Sequence, residues 1–225
     1  MDSTCEDPKM KHHFATNIIS LLAILLVVIF PHFVPLPFYS YAIICLGVVI
    51  LILRKENKTL RDLGLKQNGI SIKTFLVGIT SALVWVAFMR WIYLPLISYL
   101  FIVPDYTEYN FIQNNPTNLI ITIAAAWIIG GFYEEIIFRG FIQKTIEGWL
   151  NNNHSFLFAG LITSVIFGLY HSQQGYLGMI SATLGGLFWT FLLKRFGKNL
   201  WYPIISHAIF DTITLTLIYL GLFGK

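Results

Sequence analysis

Three short polar runs interrupt otherwise apolar sequence in the C-terminal half of the chain. They are Tyr-Glu-Glu-Ile-Ile-Phe-Arg-Gly at 133–140, Phe-Gly-Leu-Tyr-His at 167–171 and His-Ala-Ile-Phe-Asp at 207–211. On a helix, Glu135 and Arg139 are four residues apart with the acid first, the favourable order for an ion pair, while Glu134 points about 100° away. One carboxylate is then paired and the other is left to take a proton from water, as a general base does. Phe167 with His171, and His207 with Asp211, are also four apart and share a helix face. Glu134, His171, His207 and Asp211 can therefore converge between three helices. Two chemistries fit that set. A carboxylate activates water beside imidazole donors that hold an oxyanion, or His171, His207, Asp211 and Glu134 bind zinc or another divalent metal.

Each residue also has a plainer reading. Glu135 with Arg139 is first of all a structural ion pair, Phe167 is packing, and His207 with Asp211 is a hydrogen bond between apolar neighbours. Glu134 is different, because no spare Lys or Arg lies in nearby apolar sequence to pair with it. A carboxylate held inside a bilayer costs a few kcal/mol, so its presence points to function.

The elements that position these groups must lie in a membrane. Of the 225 residues, 56% are hydrophobic and 12% charged, about half the charged fraction of a soluble domain. Residues 14–53 and 148–193 contain no Asp, Glu, Lys or Arg; about 20 apolar residues cross the hydrocarbon as a helix, so each run holds two crossings. The fold class is all-α, a polytopic transmembrane helical bundle of about seven spans. Residues 1–13 form a polar tail and 14–225 a single transmembrane domain. Pro31, Pro35 and Pro37 divide the first run into spans at 14–30 and 38–53. Further spans fall at 75–93, 118–141, two on either side of 172–175, and 200–222. Arg90 is expected to snorkel to the interface with Trp91 and Tyr93.

The cations sit in the loops 54–73, 142–155 and 194–199, which places the N-terminus in the cytoplasm and the C-terminus outside. A net charge of +4 is explained by these loops; with no continuous basic stripe, nucleic acid is not a partner, whereas the lipid bilayer is. The loop before Pro116 has Asp105 and Glu108 and no cation. Lys9, Lys11, His12 and His13 precede an apolar run with no Ala-x-Ala-like site, which reads as an uncleaved signal anchor. Cys5 lies in the tail and Cys45 in a span, a pair ill placed for a disulfide. Ser181 with Gly185, and Ala182 with Gly186, allow one helix to approach another closely. Straight spans leave Glu134 roughly 24 Å from the outer end of its helix and His171 roughly 22 Å from the inner end of its own, so the two meet only if helices tilt or shift.

Glu-Glu-x-x-x-Arg, Phe-x-x-x-His and His-x-x-x-Asp on successive apolar helices resemble the motif set of the CAAX protease and bacteriocin-processing (CPBP, or Abi) family, which includes the CAAX prenyl endopeptidase. The resemblance covers residues 130–215, with a catalytic region at about 117–222, and Thr59-Leu-Arg-Asp-Leu-Gly-Leu is similar to a weaker family feature. It implies an intramembrane endopeptidase, a hydrolase without a metal cofactor, that cuts a membrane-anchored or membrane-delivered peptide. By that resemblance Glu134 activates water beside His171, His207 and the residue at 211 hold the oxyanion, and Glu135, Arg139 and Phe167 support the site. The prenyl endopeptidases have Asn where this chain has Asp211, although Asp also occurs among prokaryotic members. Since an ionised Asp donates no hydrogen bond, Asp211 is protonated, orients His207 or serves a metal. Asp211 and the short loops point to the plasma membrane of a prokaryote. A different class, a transporter or immunity-type membrane protein that relays protons, also uses buried carboxylates and histidines; it predicts an inverted repeat, and the ionisable motifs occupy one half only.

Overall fold

A computed structural model describes residues 8–34, 36, 39–100, 107–150 and 152–222, among which every regular element is helical. The chain forms two compact units, Met1–Thr59 and Leu60–Lys225. In the first, α1 (Pro8–Phe33) and α2 (Tyr41–Lys55) touch one another. Helix α1 runs through Pro31 rather than stopping before it. The proline removes one amide donor in the final turn, where few turns remain to be distorted. Pro35, Pro37 and Cys5 lie outside the described residues, and Cys45 is buried and in no disulfide among the described residues.

The second unit contains α3 (Ile72–Leu100), α4 (Pro116–Leu150), α5 (Ser155–Tyr170), α6 (Gly175–Arg195) and α7 (Trp201–Tyr219). Helices α3 and α4, and α6 with its leading turn from Ser172, are long and apolar enough to cross a membrane. Their outward faces are apolar too. On α5 the exposed stripe is Leu157, Phe158, Leu161, Ile162, Val165 and Leu169, the reverse of a helix that faces water. The protein is an integral membrane protein, and among the described residues seven helices overlap the positions read as spans, three of them long and apolar enough to cross.

Local sequence explains where the boundaries moved. Helix α3 continues to Leu100 through one π-helical turn, Met89–Tyr93. Pro95 cannot donate to the carbonyl four residues back, and the wider turn accommodates that loss. Arg90 Nη1 donates to the carbonyl of Leu222 at 2.9 Å. Tyr93 is buried and donates to the carbonyl of Leu177 at 2.7 Å.

Helix α4 starts on Asn115, whose side chain accepts from the amide of Asn118, with Pro116 in the first turn. It does not end at Phe141. It extends to Leu150, because Gln143 and Ile146 are buried on its inner face while Lys144 and Glu147 face the loops. At 35 residues it exceeds a single perpendicular crossing, so the depth of Glu134 does not follow from counting inward from the helix end.

Small residues draw α5 onto α6. A side chain at Gly160 would meet Thr190, one at Gly168 would meet Thr183, and one at Gly186 would meet Ser164. Gly160, Ser164 and Gly168 repeat every four residues and complement Gly186 across the contact. The 60–71 loop is closed against the start of α7. The amide of Leu200 donates to the carbonyl of Gly64 at 3.0 Å, and Asn199 Nδ2 donates to that of Gly69 at 3.0 Å. Gly64 has φ +107° and sits against the backbone of Lys198, so only glycine fits there. Gly186→Leu is expected to separate α5 from α6 and lower stability by about 1–3 kcal/mol, measured by thermal unfolding in detergent; unchanged unfolding would contradict this packing.

Candidate active site

The site is built on the part of α4 that is buried on every side, from Tyr133 to Gln143. Residues 127–142 are π-helical, a winding that often marks functional segments. Two glycines stand one turn before the two glutamates, and each shares a face with one of them. A side chain at Gly130 would lie 2.5 Å from Asp211 Oδ2 and 3.7 Å from His207 Nε2; one at Gly131 would lie 2.7 Å from Ala208 Cβ and 3.1 Å from the carbonyl of Ile204. The glycine pair thus lets α7 come against α4 at the height of the motifs. The Gly130–Glu134 face meets Asp211 and the Nε2 side of His207, and the Gly131–Glu135 face meets the remainder of α7.

Glu135 is fully buried and joins the helices. Its Oε1 lies 3.3 Å from Arg139 Nη1 and 2.9 Å from His207 Nδ1. An ionised carboxylate only accepts, so Nδ1 carries a proton and donates to Glu135, and Nε2 is turned toward Asp211. Asp211 Oδ2 is 3.6 Å from Nε2, too far for a hydrogen bond. The carboxylate that orients His207 is therefore Glu135, one of the roles the sequence offered to Asp211. Glu134 is 7% exposed and lies within electrostatic reach of His207, Asp211, Arg139 and Glu135.

The aromatic side of the site holds the same groups. Trp189 stacks on the His207 ring at 3.7 Å and 20°. The Arg139 guanidinium lies 4.2 Å above the Phe167 ring and 5.3 Å from Trp189, contacts that contribute about 2 kcal/mol when desolvated. His171 caps α5 and its Nδ1 is 2.8 Å from the Phe167 carbonyl, which leaves Nε2 as its second polar atom. Its ring packs on Phe167 at 4.5 Å. Phe167 is 6.2 Å from the His207 ring, so His171 joins the cluster through Phe167. Among the described residues, no group of three or more His, Cys, Asp or Glu is arranged to hold a metal ion.

The motifs did not single out Trp189, Gly130 or Gly131. Adjacent glycines one turn ahead of the paired glutamates were a legible signal of close approach. Trp189 had none, since an aromatic residue in an apolar helix looks like any other core residue.

Three comparisons with known proteins bear on this geometry. A family model described as type II CAAX prenyl endopeptidase Rce1-like matches residues 116–213, from the start of α4 to just past Asp211. The chain is 35% identical over 181 residues to a protein of Bacillus subtilis (strain 168) named "Putative membrane peptidase YdiL", an alignment covering 78% of this chain and 68% of that relative. No solved structure matches the chain.

Three substitutions test the arrangement. Arg139→Ala leaves Glu135 without its cation in a buried site, at a cost of about 3–5 kcal/mol, and is expected to reduce accumulation in the membrane by immunoblot; normal accumulation with loss of activity would place Arg139 in the chemistry instead. Gly130→Ala is expected to keep the fold while displacing the Asp211 carboxylate, whereas Gly131→Ala presses on backbone and destabilises. Thermal unfolding separates the two, and equal losses of stability would contradict it.

Proposed function

The chain belongs to the CPBP family of membrane peptidases, and from that premise we propose that it is a glutamate-dependent intramembrane endopeptidase working without a metal. The observation that carries this reading is that Glu135 takes up both Arg139 and His207, leaving Glu134 as the buried carboxylate beside His207 and Asp211. Glu134 takes a proton from water, and the resulting hydroxide attacks the scissile carbonyl carbon. His207, protonated on both nitrogens and held at Nδ1 by Glu135, donates from Nε2 to the oxyanion, with protonated Asp211 as the second donor. Collapse of the tetrahedral intermediate breaks the C–N bond. The proton held by Glu134 passes to the leaving nitrogen, giving a carboxyl and an amine product. His171, at the end of α5, packs on Phe167, while Trp189 and Phe167 cover the His207 and Arg139 side of the site.

The substrate is a peptide anchored in or delivered to the membrane. Prenylated CAAX tails, bacteriocin leaders, signal peptides and anti-sigma-like regulators all meet that description. With the N-terminus in the cytoplasm, the basic loops lie on the cytoplasmic side of a prokaryotic plasma membrane. Peptides from cells expressing wild type or Glu134→Gln, compared by mass spectrometry, test the activity. The amide keeps the shape of the carboxylate but takes no proton, so cleavage products are expected to fall by about 10²–10⁴-fold with accumulation unchanged. Retention of most activity would remove Glu134 from the role of base.

Asp211→Asn separates this chemistry from a metal-dependent one. An amide supplies the donor that a protonated Asp supplies, so activity is expected to stay within about tenfold of wild type and to survive chelators. Stoichiometric zinc in active protein, lost together with activity in Asp211→Asn, would overturn the metal-free mechanism.

A further inference from the structure

We infer that the cavity enclosed by the 61–66 loop, the last turns of α4 and the 197–198 turn binds a phosphate group, carried by a lipid headgroup or by a free phosphate. The inference stands apart from the proteolytic reading. The cavity has a volume of about 310 Å³, within the range of small-ligand sites. Arg61, Lys66, Arg139, Lys144 and Lys198 line it, against the two acids Asp62 and Glu147. Lys198 is paired with Glu147 at 2.7 Å, Lys144 donates to the carbonyl of Asp62, and Lys66 donates to that of Gly197 at 3.1 Å. Arg61 has no ion-pair partner among the described residues. Cations gathered at a protein surface repel one another, and an anion in their midst offsets that repulsion.

Loop cations alone would satisfy the topology of a membrane protein. The buried part of the lining goes further. Gln143 is 1% exposed; its Oε1 accepts from Thr190 at 3.2 Å, but its Nε2 has no hydrogen-bond partner. Arg139 is 2% exposed, and its Nη2 has none either. Buried donors without acceptors each cost about 1–3 kcal/mol; both residues line the cationic cavity, with the two unpartnered nitrogens themselves covered behind its wall. A phosphate brings several acceptor oxygens and the charge that arginine and lysine bind in partly buried sites. The loop involved is the Arg-Asp-Leu-Gly run, which is closed against the start of α7 through Gly64.

The test is thermal unfolding of the purified chain under two arms. One arm adds inorganic phosphate in detergent; the other uses nanodiscs of phosphatidylcholine with or without phosphatidylglycerol. A ligand bound to the folded state raises the unfolding temperature. Stabilisation by phosphatidylglycerol alone identifies a lipid headgroup, and stabilisation by inorganic phosphate as well identifies a site for the free ion. In either case Arg61→Gln is expected to weaken the apparent affinity roughly tenfold, the scale of one charge-assisted hydrogen bond. Lys73→Gln, at an exposed cation in the first turn of α3 and outside the cavity, is expected to leave it unchanged. Neither variant touches the catalytic groups. No stabilisation in either arm, or equal weakening by Arg61→Gln and Lys73→Gln, would overturn the site in favour of diffuse surface attraction. Should Arg61→Gln fail to accumulate, Lys66→Gln carries the same prediction.

Discussion

Glu135 sits in the interior of the bundle with no exposure to solvent, and one of its oxygens meets both Arg139 and His207. A carboxylate in that position is tolerable only while both partners hold it, because an isolated buried charge is far more costly than a buried pair. Arg139 is one turn along the same helix, whereas His207 comes from α7. The same contact that makes the charge bearable therefore fixes the rotation of α7 against α4 and the orientation of the His207 ring. Asp211 and Glu134 take their places from that choice.

The remaining packing serves this junction. Gly130 and Gly131 remove the side chains that would keep α7 away from α4. Gly78 on α3 faces Ile205, and Ser81 donates to Ser206 at 3.0 Å, which supports α7 from its other side. The ladder of Gly160, Ser164 and Gly168 brings α5 onto α6, so that Phe167 and Trp189 reach the Arg139 guanidinium and the His207 ring together. In a membrane, apolar burial does not distinguish a helix neighbour from lipid. Small residues and a few buried polar contacts must supply the specificity.

Much of this was legible in the sequence. Charge-free runs and basic loops gave a helical membrane protein, and the four-residue spacing of Glu135 and Arg139 gave their ion pair. Other features depended on tertiary contact. That Glu135 rather than Asp211 would hold His207 follows from the register of α7 on α4, which no single-helix pattern contains. The extension of α4 to Leu150 was hidden because Lys144 and Glu147 look like loop residues; they face loops while Gln143 and Ile146 on the same turns are buried. The π-helical winding of residues 127–142 had no local signature beyond two glycines.

The dependence of the fold on this junction is tested most directly by a double-mutant cycle on unfolding, with Glu135→Gln, Arg139→Met and the pair together. Each single change leaves one half of the ion pair buried without its counter-charge; the double change removes both charges. The account predicts that the double variant is less destabilised than the sum of the singles, by a coupling of at least about 1 kcal/mol. Destabilisations that simply add would contradict it, and would mean that Glu135 and Arg139 are held in place independently by the surrounding packing.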